Sequence, residues 1–180
     1  MSSLTLRPLR TDELLRYQQI GHRFFPQADW TFGIDRVSKL LARWPDGIQT
    51  VWQDDEIVGY LTLWPLSDQA ARRIESGQLT DNDIDARCLP DKLQGRLANW
   101  IMTAIAVVPS DKATRGAIIE LLLGILTFIR SRHAPLRLYA HAVTPAGRRF
   151  CARTGFRFLF PNIPNLCVLN DPPDEKTAPS

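Results

Sequence analysis

The run NWIMTAIAVV, Asn99 to Val108, restricts the fold of this chain more than any other stretch. It is almost continuously apolar and is closed by Pro109. A short run of that kind suits a strand buried on both faces, and therefore central in a sheet. A helix-period segment follows, from about Ala117 to Arg132, and then a second apolar strand, Leu136 to Val143. A strand–helix–strand passage must cross over through its helix, which makes the two strands parallel. Everything else in the chain has to be arranged around that unit.

Upstream, Leu4 to Leu9 alternates apolar and polar residues, as a short edge strand that tolerates Pro8 would. Thr11 is expected to cap a helix with Asp12 and Glu13 in its first turn and Leu14, Tyr17, Ile20 and Phe24 at helical spacing. A second amphipathic helix is expected over Ile34 to Trp44, stopped by Pro45-Asp46-Gly47. IQTVWQ and EIVGYLTLWPL, joined by Asp54-Asp55, read as a hairpin. Residues 68 to 96 are polar and read as helix and loop. Downstream, Thr144 caps and Pro145 opens a helix that Gly155 stops, and Phe156 to Phe160 is expected to resume as strand. Residues 171 to 180 read as a disordered tail. The order β-α-α-β-β-(helical excursion)-β-α-β-α-β defines an α/β or α+β fold with a mixed sheet, in one domain over residues 1 to 170.

Composition narrows the function classes. With 180 residues, 44% apolar and 23% charged, the chain has the makeup of a globular protein with its own core. The greasiest stretch, Ile118 to Ile129, is interrupted by Glu120 and Gly124, so no membrane span is expected. The first residues lack a secretory hydrophobic region. Cys88, Cys151 and Cys167 are odd in number, widely spaced and without any C-x-x-C, which argues against a disulfide framework or a zinc site and suits a reducing cytoplasm. The net charge of +3 comes from arginines scattered without a dense basic run, which argues against nucleic acid as a partner.

Chemistry concentrates first in AIAVVPSDKATRGAIIELLLGIL, residues 104 to 126. A buried strand enters a loop with Lys112, Thr114 and Arg115, and the loop opens a long helix. The N-terminus of a helix offers unpaired N–H groups and a positive dipole end, which suit a phosphate. Neither GxxxxGK[ST] nor GxGxxG is present. A plain strand-to-helix connection accounts for the segment as well as an anion site does.

A second segment adds to this. Ile105-Ala106-Val107-Val108-Pro109, the loop after it, and the helix end Cys151-Ala152-Arg153-Thr154-Gly155-Phe156 resemble the GNAT acyltransferase superfamily. There a strand L-x-V-x-P precedes a pyrophosphate loop [QR]-x-x-G-x-[GA], and a later helix ends Y-x-[KR]-x-G-F. The likeness runs to about residue 169. It implies an acyl-CoA N-acyltransferase-like fold, with a mostly antiparallel sheet, one parallel β-α-β unit and helices on both faces. It also implies acetyl-CoA, or another acyl-CoA, as co-substrate, an amine acceptor (small molecule or protein), and direct transfer in a ternary complex. No metal is implied, and a homodimer is compatible.

Residue by residue, the resemblance assigns the cofactor to Ala106, Val107 and Val108 through backbone N–H groups. Lys112, Thr114, Arg115, Gly116 and Ala117 fall in the pyrophosphate loop, and Thr144 stands where the family often has asparagine. The loop is degenerate. In one register Lys112, Arg115 and Ala117 take the motif's places; in the other Gly116 does, with Ile118 where a small residue is usual. A non-catalytic module of the same fold, binding CoA weakly or not at all, is the alternative. Cys151 occupies the place of the tyrosine that protonates the departing thiolate, so it is a candidate acid, a nucleophile, or a small core residue. Tyr139 is a second candidate acid, or a packed aromatic. On the strand 136 to 143, Arg137, Tyr139, His141 and Val143 share one face. His141 is a candidate base or a structural histidine. Asp81, Asp83 and Asp85 lie in a polar loop able to reach an acceptor, or form a solvated face. Trp30 and Trp64 are candidates to line that pocket. His22 and His133 are given no role.

Overall fold

A computed structural model describes residues 3–24 and 33–171. Trp30 lies outside the described residues, as does the expected tail 171–180 apart from Asp171, which ends the last strand. The elements are β1 (Leu4–Pro8), α1 (Leu14–Phe24), α2 (Gly33–Arg43), β2 (Ile48–Gln53), β3 (Glu56–Leu66), α3 (Asp68–Glu75), β4 (Asn99–Val107), α4 (Lys112–His133), β5 (Leu136–His141), α5 (Pro145–Arg153) and β6 (Leu166–Asp171). The strands form a mixed sheet in the order β1-β2-β3-β4-β5-β6. Two compact units emerge, Met1–Thr62 with Ala104–Leu126, and Leu63–Thr103 with Thr127–Ser180. β3, β4 and α4 pass through both.

In the first unit β1, β2 and β3 pair antiparallel, with Leu6 opposite Val51 and Thr50 opposite Tyr60. The hairpin turn is as tight as the sequence implies. Asp54 (φ 47) and Asp55 (φ 62) are both left-handed, the conformation in which a two-residue loop follows the strand twist. Leu40, Ile48, Val51, Leu61, and Ile118 and Leu122 of α4 are all buried in this unit. Gly59 sets the closeness of α4 to β3: a Cβ there would lie 2.6 Å from Ile118 Cγ2 and 3.3 Å from the Ala106 carbonyl oxygen.

In the second unit β4 and β5 are parallel, Asn99 opposite Arg137 through Met102 opposite Ala140. The chain therefore crosses over between β4 and β5 as its strand–helix–strand order requires. β6 pairs antiparallel with β5 along its whole length, Leu136 opposite Asp171 and His141 opposite Leu166. His133 closes α4 as a buried residue. Its Nδ1 accepts the Leu97 N–H at 3.1 Å, and its ring lies 5.1 Å from that of Trp100. Burial pulls its pKa down and keeps it neutral.

Three expectations about elements are corrected. Thr11 does not cap a helix; it opens a 3-10 turn over Thr11–Glu13, because Glu13 reaches back to the Arg10 N–H at 3.0 Å and α1 starts only at Leu14. Phe156 to Phe160 is not a strand. Only Arg157 bridges to Val168, and the last strand comes later, after Pro161 and Pro164. Most consequential, α4 begins at Lys112 and not near Ala117, for a reason that lies in Asp111.

Candidate active site

Asp111 satisfies the start of α4 with its own carboxylate. Oδ1 accepts the N–H groups of Ala113 at 2.9 Å and Thr114 at 3.0 Å, and Oδ2 accepts the Thr114 hydroxyl at 2.6 Å. These bonds, the Thr114 hydroxyl first, hold the Asp111 pKa below its ordinary value. The residues read from sequence as a loop (Lys112, Thr114, Arg115, Gly116, Ala117) are therefore the first turns of a capped helix. Lys112 and Arg115 are exposed cations. A Cβ at Gly116 would meet nothing within 4 Å. As a test of fit to a diphosphate, the result is mixed: two cations stand at the helix start, but an internal anion holds the N–H groups. Just past the end of β4 the Val108 N–H is also committed, donating to the Val58 carbonyl at 2.8 Å. Ala106 is buried, and Val107 is half-buried.

The second unit carries a polar seam along one face of β5. Arg137, Tyr139 and His141 occupy alternate positions, so all three point the same way. Each meets an acid supplied by the excursion between β3 and β4. Glu75, the last residue of α3, accepts from Arg137 at 2.6 Å and from the Tyr139 hydroxyl at 2.7 Å. Asp81 Oδ1 lies 2.6 Å from His141 Nδ1. Burial is the main reason the Tyr139 pKa rises, and the bond to Glu75 adds to it. A hydroxyl so held is a poor proton donor. Burial also raises the Asp81 carboxyl, against the opposing bond to His141.

The place of Asp81 is built locally. Gly77 ends the α3 region with φ +73, and Ile163 stands 3.5 Å from where its Cβ would be. Thr80 then gives its N–H and hydroxyl to Asp83 Oδ2, at 2.9 and 2.8 Å. That box fixes the 3-10 turn Asp81–Asp83. Asp85 serves a different end, binding Arg87 at 2.6 Å.

Cys151 is only 2% exposed, and it is in side-chain contact with Cys167. The contact lowers the Cys151 pKa and raises that of Cys167, whose Sγ also reaches the Ala140 carbonyl at 3.3 Å. This burial, from α5 against Cys167 of β6, favours packing over a proton donor that must meet a departing thiolate. Thr144 does what its capping pattern implies and accepts the Gly147 N–H at 3.0 Å. Trp64 is buried. Among the described residues no group of three or more His, Cys, Asp or Glu is placed to hold a metal ion, and no helix is long and apolar enough to cross a membrane.

The sequence pointed to His141 and Tyr139 but not to Glu75 as the partner of Tyr139. No periodicity links a residue ending one helix to a strand 64 positions away. Asp111 was legible: Asp-x-x-Thr before a helical run is a capping signal.

Comparison with solved structures places this architecture. The chain has the fold of the GNAT-family acetyltransferases. It superposes on the loading GNATL domain of CurA from Lyngbya majuscula with a TM-score of 0.59, at 11% identity over 93% of this chain and 98% of that one. Ard1 from Thermoplasma volcanium gives 0.56 at 13% identity, over 92% and 94%. A GNAT family acetyltransferase from Brucella melitensis, solved in complex with acetyl-CoA, gives 0.53 at 14% identity, over 96% and 90%. No protein-family model matches the sequence, and no curated protein does.

Proposed function

We propose that this chain is an acyl-CoA-dependent N-acyltransferase, with acetyl-CoA as donor and an amine as acceptor. The observation that carries the reading is His141: an imidazole at the C-terminal end of β5, its side chain 12% exposed, on a fold shared with acetyltransferases. An amine attacks a thioester only as the free base, and a positioned imidazole removes its proton during attack. The amine nitrogen then bonds to the acyl carbon and the carbon–sulfur bond breaks, without a covalent enzyme intermediate. The electron pair of that bond leaves with CoA as the thiolate, which takes its proton from solvent. Lys112 and Arg115 supply the charge that meets the donor's diphosphate, once it displaces Asp111 from the helix start. Tyr139 and Cys151 have no proton-transfer role in this reading, because one is bound to Glu75 and the other is buried. Three free thiols suit a reducing compartment such as the cytoplasm.

The second reading, a non-catalytic module of this fold, is favoured by Asp111 and by the committed Val108 N–H. Thermal unfolding with millimolar acetyl-CoA, followed by thiol release in the presence of amine acceptors, separates the two. A ligand at 100 times its dissociation constant adds about 2.7 kcal/mol of stability. A shift plus thiol release that His141→Ala abolishes supports the enzyme. A protein whose unfolding ignores acetyl-CoA is not one.

A further inference from the structure

We infer that Asp81 is the positioning residue for His141, holding the imidazole with its proton on Nδ1 and its lone pair on Nε2, open to the acceptor amine. The inference rests on the reading of His141 as the base.

The geometry supplies the argument. An ionised carboxylate is acceptor-only, so with Asp81 ionised the 2.6 Å contact places the hydrogen on Nδ1, and the bond to His141 opposes the burial that raises the Asp81 carboxyl. A neutral imidazole then has its acceptor on Nε2 alone. The side chains are 12% and 24% exposed, so water competes weakly for the bond. The other polar groups on this face of β5 are already committed: Tyr139 and Arg137 both donate to Glu75. Asp81 is itself held in place, on a 3-10 turn closed by the Thr80–Asp83 box. A carboxylate that served only solubility would need none of this.

The proton accounting is simple. During attack the amine proton passes to Nε2, Nδ1 keeps its own, and Asp81 stays ionised beside the imidazolium. Two effects are thus combined, choice of tautomer and stabilisation of the charge that develops. Aspartate in hydrolytic triads acts on histidine in the same way.

The test compares the parent with Asp81→Asn, Asp81→Glu and His141→Ala. Nitrogen-15 NMR of the imidazole in ligand-free protein reads the tautomer without any turnover. The parent should show the Nδ1–H form, and Asp81→Asn, nearly isosteric, should shift it toward Nε2–H. With acetyl-CoA and a peptide bearing a free N-terminal amine as probe, Asp81→Asn should lower kcat by about 10²-fold or more. KM for acetyl-CoA should stay within about 2-fold, and Asp81→Glu should recover part of kcat. An Nε2–H tautomer in the parent overturns the inference, as does parental kcat in Asp81→Asn. Parental kcat in His141→Ala defeats the base reading alone, leaving the tautomer to be decided by NMR. If Asp81→Asn does not fold, or the peptide is not a substrate, the parent's spectrum settles the question.

Discussion

Tyr139, buried on β5, donates its hydroxyl to Glu75 at 2.7 Å, and the two partners do not lose equally when the bond is cut. Tyr139→Phe removes a donor and leaves Glu75 still bound to Arg137, at a cost of about 1 kcal/mol. Glu75→Ala strands a buried hydroxyl and should cost about 1–3 kcal/mol. Urea unfolding of the two variants should rank them in that order; equal costs would mean that water reaches the hydroxyl.

Asp111 competes with any anion for the start of α4. Asn caps a helix about as well as Asp but carries no charge. Asp111→Asn should therefore leave stability near the parent value while tightening acetyl-CoA binding several-fold in calorimetry. Lys112→Ala with Arg115→Ala should weaken binding and flatten its salt dependence, since exposed cations facing phosphate are screened by salt. An unchanged affinity in both would remove the donor from this end of the helix.

Three glycines should respond differently to alanine. A Cβ at Gly116 or Gly124 meets nothing within 4 Å. Each substitution lies in a helix and should stabilise by roughly 0.5–1 kcal/mol. Gly59→Ala, with Ile118 at 2.6 Å, should destabilise by about 1–3 kcal/mol. Thermal melts of the three single variants check the contrast.

The thiols should be silent in the native state. All three cysteines are free and buried, so a chromogenic disulfide reagent should label none until the chain unfolds. Cys151→Ala should cost about 1–2 kcal/mol of stability and leave any turnover unchanged. A large fall in turnover without loss of stability would return this thiol to the chemistry.

Acid should weaken the corner between β1 and α1. Arg7 binds Glu13 at 2.6 Å and holds its pKa below the ordinary 4.5. A depressed carboxyl contributes stability that is complete above that ordinary value and is lost as pH falls through the lower, folded one. Glu13→Gln should therefore lose stability at neutral pH and show a shallower fall below pH 4.5. Parallel curves for the two proteins would mean that the pair contributes nothing.

The parts of the fold legible in the sequence were those fixed by local chemistry. The Asp54-Asp55 turn, the run from Asn99, and Thr144-Pro145 each carry their own signal. The crossover followed from connectivity. What escaped was set by partners distant in the chain. Residues after Gly155 have strand-like composition, yet β6 forms at Leu166 because only there does the chain lie beside β5. The polar atoms of His141 and Tyr139 are matched by Asp81 and Glu75, and no spacing rule couples an excursion to a strand 60 residues on.

The alternation of Arg137, Tyr139 and His141 has a consequence for how descendants of this chain can change in length. Adding or deleting one residue between 137 and 141 would turn one end of the strand over, sending His141 to the opposite side from Arg137 and breaking its match with Asp81. Gly95, by contrast, stands where an added Cβ meets nothing within 4 Å, in a segment that forms neither helix nor strand. Insertions should collect there, in the exposed stretch between Asp91 and Arg96, while the spacing from 137 to 141 stays fixed.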